Sequence, residues 1–242
     1  MTPGIGKGIG IGLRKGGARP VWVPTDLGAN LKLWLRPEEL AVIGDTNNVS
    51  TWADQSGLSN DATQGTADKQ PVVAADKLDG YAEAVLDGVD DSLEVPQIDL
   101  GTGAFEYWIV VHLPALAEYF MRGMVGGTTR LRPEGLGHLA FQTPAGSTNL
   151  TAVSTFAGDT RYLIRVGRDG SANMICEKNG VDVISGSPTN AGNVSLITPW
   201  NYTTTGQVHG IELMVVSAAV SAANLTNARS YFAGRYPTLG IA

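Results

Sequence analysis

The 242-residue chain has one cysteine, Cys176. A disulfide within the chain is therefore impossible, and a thiolate-rich zinc site is excluded. Charged residues are also sparse, at 17% against 43% hydrophobic. That balance gives the chain enough apolar surface to bury a sizeable core and argues against disorder. No apolar run is long enough to span a bilayer, since the longest, 211–225, is interrupted by Glu212 and Asn224. No membrane insertion is expected. The start lacks the uninterrupted apolar segment of a secretory signal, so folding in a reducing cytoplasm is expected.

Several catalytic patterns are missing too. No E-x-D strand aims paired carboxylates at a glycosidic bond, and no G-x-S-x-G elbow activates a serine. The three histidines, His112, His138 and His209, show no metal-ligand spacing along the chain. Each reads as an ordinary strand residue, and the expectation is no enzyme. Acidic residues are absent before Asp26, whereas Lys7, Arg14, Lys15 and Arg19 make residues 1–24 basic. The remainder holds 13 basic and 23 acidic residues. A body that acidic repels phosphate backbones, so no nucleic-acid partner is expected.

What the sequence does contain is alternation. "FEYWIVVHL" (105–113) places Phe105, Tyr107, Ile109, Val111 and Leu113 on one strand face, and "RYLIRVGR" (161–168) does so with Tyr162, Ile164 and Val166. "ANMICEKNGVDVISG" (172–186) reads as a hairpin turning at Asn179-Gly180. "HGIELMVV" (209–216) points Ile211, Leu213 and Val215 one way. Shorter strands are expected at 31–35, 71–75, 82–86 and 138–142. One helix, 221–237, has Ser221 as N-cap, with Leu225, Ala228, Phe232 and Tyr236 on its apolar face. The expected organisation is an arm, 1–24, followed by one sandwich domain, 25–242.

"LKLWLRPEEL" (31–40), "VSTWADQSGLSNDATQ" (49–64), Pro71 and "AVLDGVDDSLEVP" (84–96) follow one another in an order that resembles concanavalin A-like, laminin-G-like jelly rolls of phage and bacterial surface proteins. "CEKNGVDVISG" is similar to that family's L-x-V-N-G hairpin. "HGIELMVVSAAVSAANLTNARSYFAGRYP" is similar to its closing strand and helix, with Phe232 and Arg235 where the family has Leu and Lys. The resemblance covers about 30–240. It implies an all-β fold, a two-sheet antiparallel jelly-roll sandwich of the concanavalin A lectin type, with a short C-terminal helix and an extended Gly-rich arm.

Trp34 and Trp52 are expected to fill the core between the sheets. Asp54 and Ser56 are expected to bond backbone N–H groups in a tight loop with Gly57 at positive φ. Asp87-Gly88 and Asp90-Asp91 read as a turn, and Asp54, Asp87, Asp90 and Asp91 are the candidates for calcium, which takes several hard oxygens. No other cofactor is implied. Trp200, Tyr202 and Tyr119 are the candidates for stacking on a glycan, with Trp200 as a core cap the competing reading.

In the arm, five alternating glycines cost nearly 1 kcal/mol each in a helix, so an extended chain is expected. Ile5, Lys7, Ile9 and Ile11 would then project to one side, with Arg14, Lys15 and Arg19 beyond them, suited to docking on a partner. Gly-rich openings of this kind before a jelly roll resemble those of phage structural proteins. The resulting expectation is a virion component (head decoration, fibre or tail) made in the host cytoplasm. It would be held to other virion proteins by the arm and would form a homo-oligomer. The alternatives are a module binding host glycans and a glycan hydrolase on the same fold.

Overall fold

In the computed structural model, residues 22–114, 121–123, 129–134, 137–201 and 207–242 are described, with backbone alone at 121–123, 132–134 and 201. The strand Phe105–Leu113 lies within an eight-stranded antiparallel sheet, between Thr160–Arg168 and Val208–Val216. Beyond Thr160–Arg168 come Met174–Lys178 and Val181–Asp182. Asn179 and Gly180 join these two at φ 51° and 80°, the paired positive values that a two-residue Asn-Gly hairpin turn requires. The far edge of Val208–Val216 is divided. Its first residues pair with Tyr81–Leu86 and its last with Leu31–Leu35, while Val72–Leu78 completes the sheet beyond Tyr81–Leu86.

Period-two alternation sends Phe105, Tyr107, Ile109, Val111 and Leu113 to one face, together with Tyr162, Ile164 and Val166. They meet Leu131, Leu139 and Phe141 of a four-stranded sheet, and Ile98, Leu100, Val194 and Leu196 of a short strand pair. This is the inter-sheet core of an antiparallel β-sandwich, as expected. The opposite face is apolar as well. Trp108, Val110, Leu163, Met214 and Val216 lie beneath the helix Ala222–Arg235, which buries Ala228 and Phe232, with Tyr236 buried at its C-cap. Trp108 stacks on Phe232 at 5.6 Å. Ser221 caps the helix by accepting from the Asn224 N–H at 3.3 Å.

Three details differ from the sequence reading. The pairing of Val208–Val216 shifts register between Gly210 and Glu212. An extra residue at such a bulge reverses the alternation, so Ile211 turns to the helix side while Leu213 and Val215 face the inter-sheet core. Trp34 also belongs to the helix-side layer, and only Trp52 joins the core between sheets. A helix at Pro37–Ile43 was not anticipated. The described chain begins at Trp22, whose ring meets Tyr231 edge-on at 6.0 Å, so residues next to the 1–24 boundary already touch the sandwich.

Candidate functional site

The helix side of the large sheet carries an unusual number of buried charges, and most of them are structural. Glu212, fully buried, accepts from Trp34 Nε1 at 2.8 Å, Tyr231 Oη at 2.8 Å, Tyr236 Oη at 2.5 Å and Arg235 Nε at 3.1 Å. Arg235 also clamps Glu38 through both Nη atoms at 2.7 Å. A second network joins Arg165 to Glu106, at 2.8 Å through Nε and through Nη2, and to Glu177, which Arg229 also meets at 2.9 Å. The Val220 N–H donates to Glu106 at 2.9 Å. With every carboxylate oxygen engaged by helix, loop or sheet, these groups hold the helix down and present nothing to a ligand.

Away from those networks, the same face carries a different cluster. Arg161, His112 and His209 stand in direct register on three adjacent strands, 161 opposite 112 and 112 opposite 209. Glu83 reaches them from Tyr81–Leu86. Its Oε1 lies 2.8 Å from His209 Nδ1 and 3.8 Å from His112 Nδ1, and the two Nδ1 atoms are 3.1 Å apart. Arg161 Nη2 donates to Glu83 Oε2 at 3.2 Å, and His112 Nε2 lies 3.2 Å from Asp159 Oδ1. Burial alone raises the Glu83 carboxyl. The neighbouring imidazoles of His112 and His209 and the Arg161 guanidinium outweigh it and hold the pKa at about 2.

Asp159 and Arg161 also belong to the wall of a cavity of about 400 Å³, which Lys77, Asp79, Thr160 and Thr238 line with them. The Thr238 N–H and hydroxyl both donate to Asp79. The cavity thus offers two cations, two carboxylates and hydroxyls in a volume suited to a small ligand.

The residues singled out from the sequence fall elsewhere. Asp54 accepts from the N–H groups of Trp34, Ser56 and Asn60 and from the Ser56 hydroxyl, and Gly57 has φ 87°. Its loop is fastened as expected, and its oxygens are committed. Asp87, Asp90 and Asp91 do converge, with ligand atoms within 4.8 Å of one another. Asp87 and Asp91 meanwhile accept N–H groups of their own turn, from Val89 and Asp87. Trp200 must be moved from the glycan-binding surface to the core: it is fully buried and stacked on Trp52 at 6.1 Å, so its ring faces are taken. Tyr119, Tyr202 and the arm residues Ile5, Lys7, Ile9, Ile11, Arg14, Lys15 and Arg19 lie outside the described residues. Glu83, His112, His209 and Asp159 were not anticipated as a group, because sheet register assembles them and spacing along the chain does not.

The architecture is an antiparallel β-sandwich with a helix packed on its large sheet. No family model and no curated protein matches the chain. Among solved structures it is similar to the binding domain of Paraclostridial Mosquitocidal Protein 1, at 12% identity and TM-score 0.59 over 87% of this chain and 53% of that one. It is similar to the Trypanosoma rangeli sialidase at 11% and 0.57, over 83% and 32%. The binding domain of botulinum neurotoxin DC, in complex with SialylT, matches at 12% and 0.54, over 86% and 52%. The chain thus spans about a third to a half of the length of these structures, and at such identities the likeness is one of fold.

Proposed function

We propose that the protein is a carbohydrate-binding module, with the cavity beside Arg161 as its sugar site. The observation that carries this reading is the mixed polarity of that cavity. Lys77 and Arg161 suit the carboxylate of an acidic sugar, while Asp79 and Asp159 suit vicinal hydroxyls. The fold supports it, since two of the similar structures are binding domains and one is in complex with SialylT. These likenesses favour glycan recognition over the scaffold role in a virion expected from the sequence. A place on a virion is compatible with glycan binding and rests on the resemblance and the arm alone.

A glycan array with sialylated and neutral members tests the proposal. Binding should fall at least tenfold in Lys77→Ala and in Asp79→Asn. Absence of any glycan ligand would overturn the function. Binding that survives both substitutions would overturn the cavity as its site. Release of reducing sugar from a bound glycan would point to the hydrolase alternative instead.

A further inference from the structure

We infer that Glu83, His112 and His209 form a site for a divalent transition metal, with Zn²⁺ the best fit. Their three inward atoms, Glu83 Oε1, His209 Nδ1 and His112 Nδ1, make a triangle with edges of 2.8, 3.1 and 3.8 Å. A tetrahedral zinc with bonds of about 2.1 Å places its ligand atoms roughly 3.4 Å apart. The observed edges bracket that value, so a metal can sit between the three with small side-chain adjustments.

Proton counting argues for the same occupant. A carboxylate only accepts, and a neutral imidazole has one N–H. His112 turns Nε2 towards Asp159 Oδ1, and a proton placed there leaves a lone pair on its Nδ1. Among the described residues, His209 Nε2 is buried with no hydrogen-bond partner. If the His209 proton is on Nδ1, that buried Nε2 is a bare acceptor. If it is on Nε2, three lone pairs meet at one point. A cation at that point converts the second arrangement from repulsive to bonding.

The outer groups have the form that metal sites need. Asp159 would fix the His112 tautomer, and Arg161 Nη2 lies 3.2 Å from Glu83 Oε2 and 3.4 Å from Oε1, so that Oε1, 2.8 Å from His209 Nδ1, is the oxygen turned to the histidines. Two imidazoles and one carboxylate select a borderline-soft ion over Ca²⁺ or Mg²⁺, which prefer all-oxygen sets. Three protein ligands leave a fourth position for water or a ligand atom. The inference stands whether or not the cavity takes a sugar.

The test uses tag-free, chelator-treated full chain. Calorimetry with ZnCl₂ should show one equivalent bound, and Co²⁺ should give the intense visible absorption of a tetrahedral site. Melting temperature should rise with the logarithm of Zn²⁺ concentration. His112→Ala and His209→Ala should lose the equivalent. Asp159→Asn, a change at a side chain that is 90% exposed, should weaken binding about 10- to 100-fold, and Lys77→Ala should leave it unchanged. Should the histidine variants fail to fold, the wild-type Co²⁺ spectrum decides alone. A wild type that binds no equivalent, a Co²⁺ spectrum without tetrahedral bands, or an equivalent retained in both histidine variants would overturn the site.

Discussion

Arg235 joins two acids whose surroundings differ. Glu212 lies wholly inside, while Glu38 keeps 40% of its side chain in solvent. Burial pushes the Glu38 carboxyl up, but the two bonds and the charge of Arg235 outweigh it and leave the pKa below the ordinary 4.5. A carboxyl with a lowered folded pKa stabilises the fold fully above the unfolded value and loses that contribution as pH falls through the folded one. Glu38→Gln should therefore be less stable at pH 7, by roughly 0.5–1 kcal/mol given the solvent around the pair. Urea denaturation at pH 7 and again near pH 3 checks this, and the gap between the proteins should close at the lower pH. At this scale the sequence was partly readable. Asp54 could be recognised as a loop fastener because its partners are two to six residues away, apart from Trp34. The Glu83 cluster could not, because 126 residues separate Glu83 from His209 and no local pattern records such a meeting.

At the level of strands and helices, alternation located the eight strands of the large sheet and His138–Thr143 to within a few residues, while shorter strands such as Ile98–Gly101 and Val194–Leu196 went unread, and the Asn-Gly turn and the Ser221 cap carried their own chemistry. The bulge in Val208–Val216 was hidden because a strand with one extra residue still reads as apolar and continuous. Pro37–Ile43 did leave a signal, Pro37 in the first turn followed by Glu38 and Glu39, but seven residues are too few for periodicity to speak. Gly210, beside the bulge, offers a sharp test. A Cβ built there would lie 2.6 Å from the Trp200 ring, and the ring is held by its stack on Trp52. Gly210→Ala should cost about 1–3 kcal/mol through overpacking, seen as a lower denaturant midpoint with an unchanged slope.

For the whole molecule, the sequence foretold a β-sandwich through its alternation and family resemblance, and an acidic body with a basic, glycine-rich opening through its composition. It could not foretell a helix layer as well packed as the inter-sheet core, because the strand Phe105–Leu113 is buried on both faces and two-sided burial erases the polar half of an alternation. If the arm is a separable anchor, removing residues 2–21, which spares Trp22 and its contact with Tyr231, should leave the thermal melt unchanged and abolish attachment to a partner or particle. A lowered melt would show instead that the opening helps to hold the sandwich together.

The divided edge of Val208–Val216 sets an order of events. The strands at 31–35 and 81–86 both rest on a segment that leaves the ribosome more than a hundred residues later. A nascent chain therefore carries unpaired, adhesive edges through most of its synthesis, and long-range closure of this kind is slow. Truncation before residue 208 would strand both early segments at once, so yield in the cell should depend on how quickly translation reaches the end.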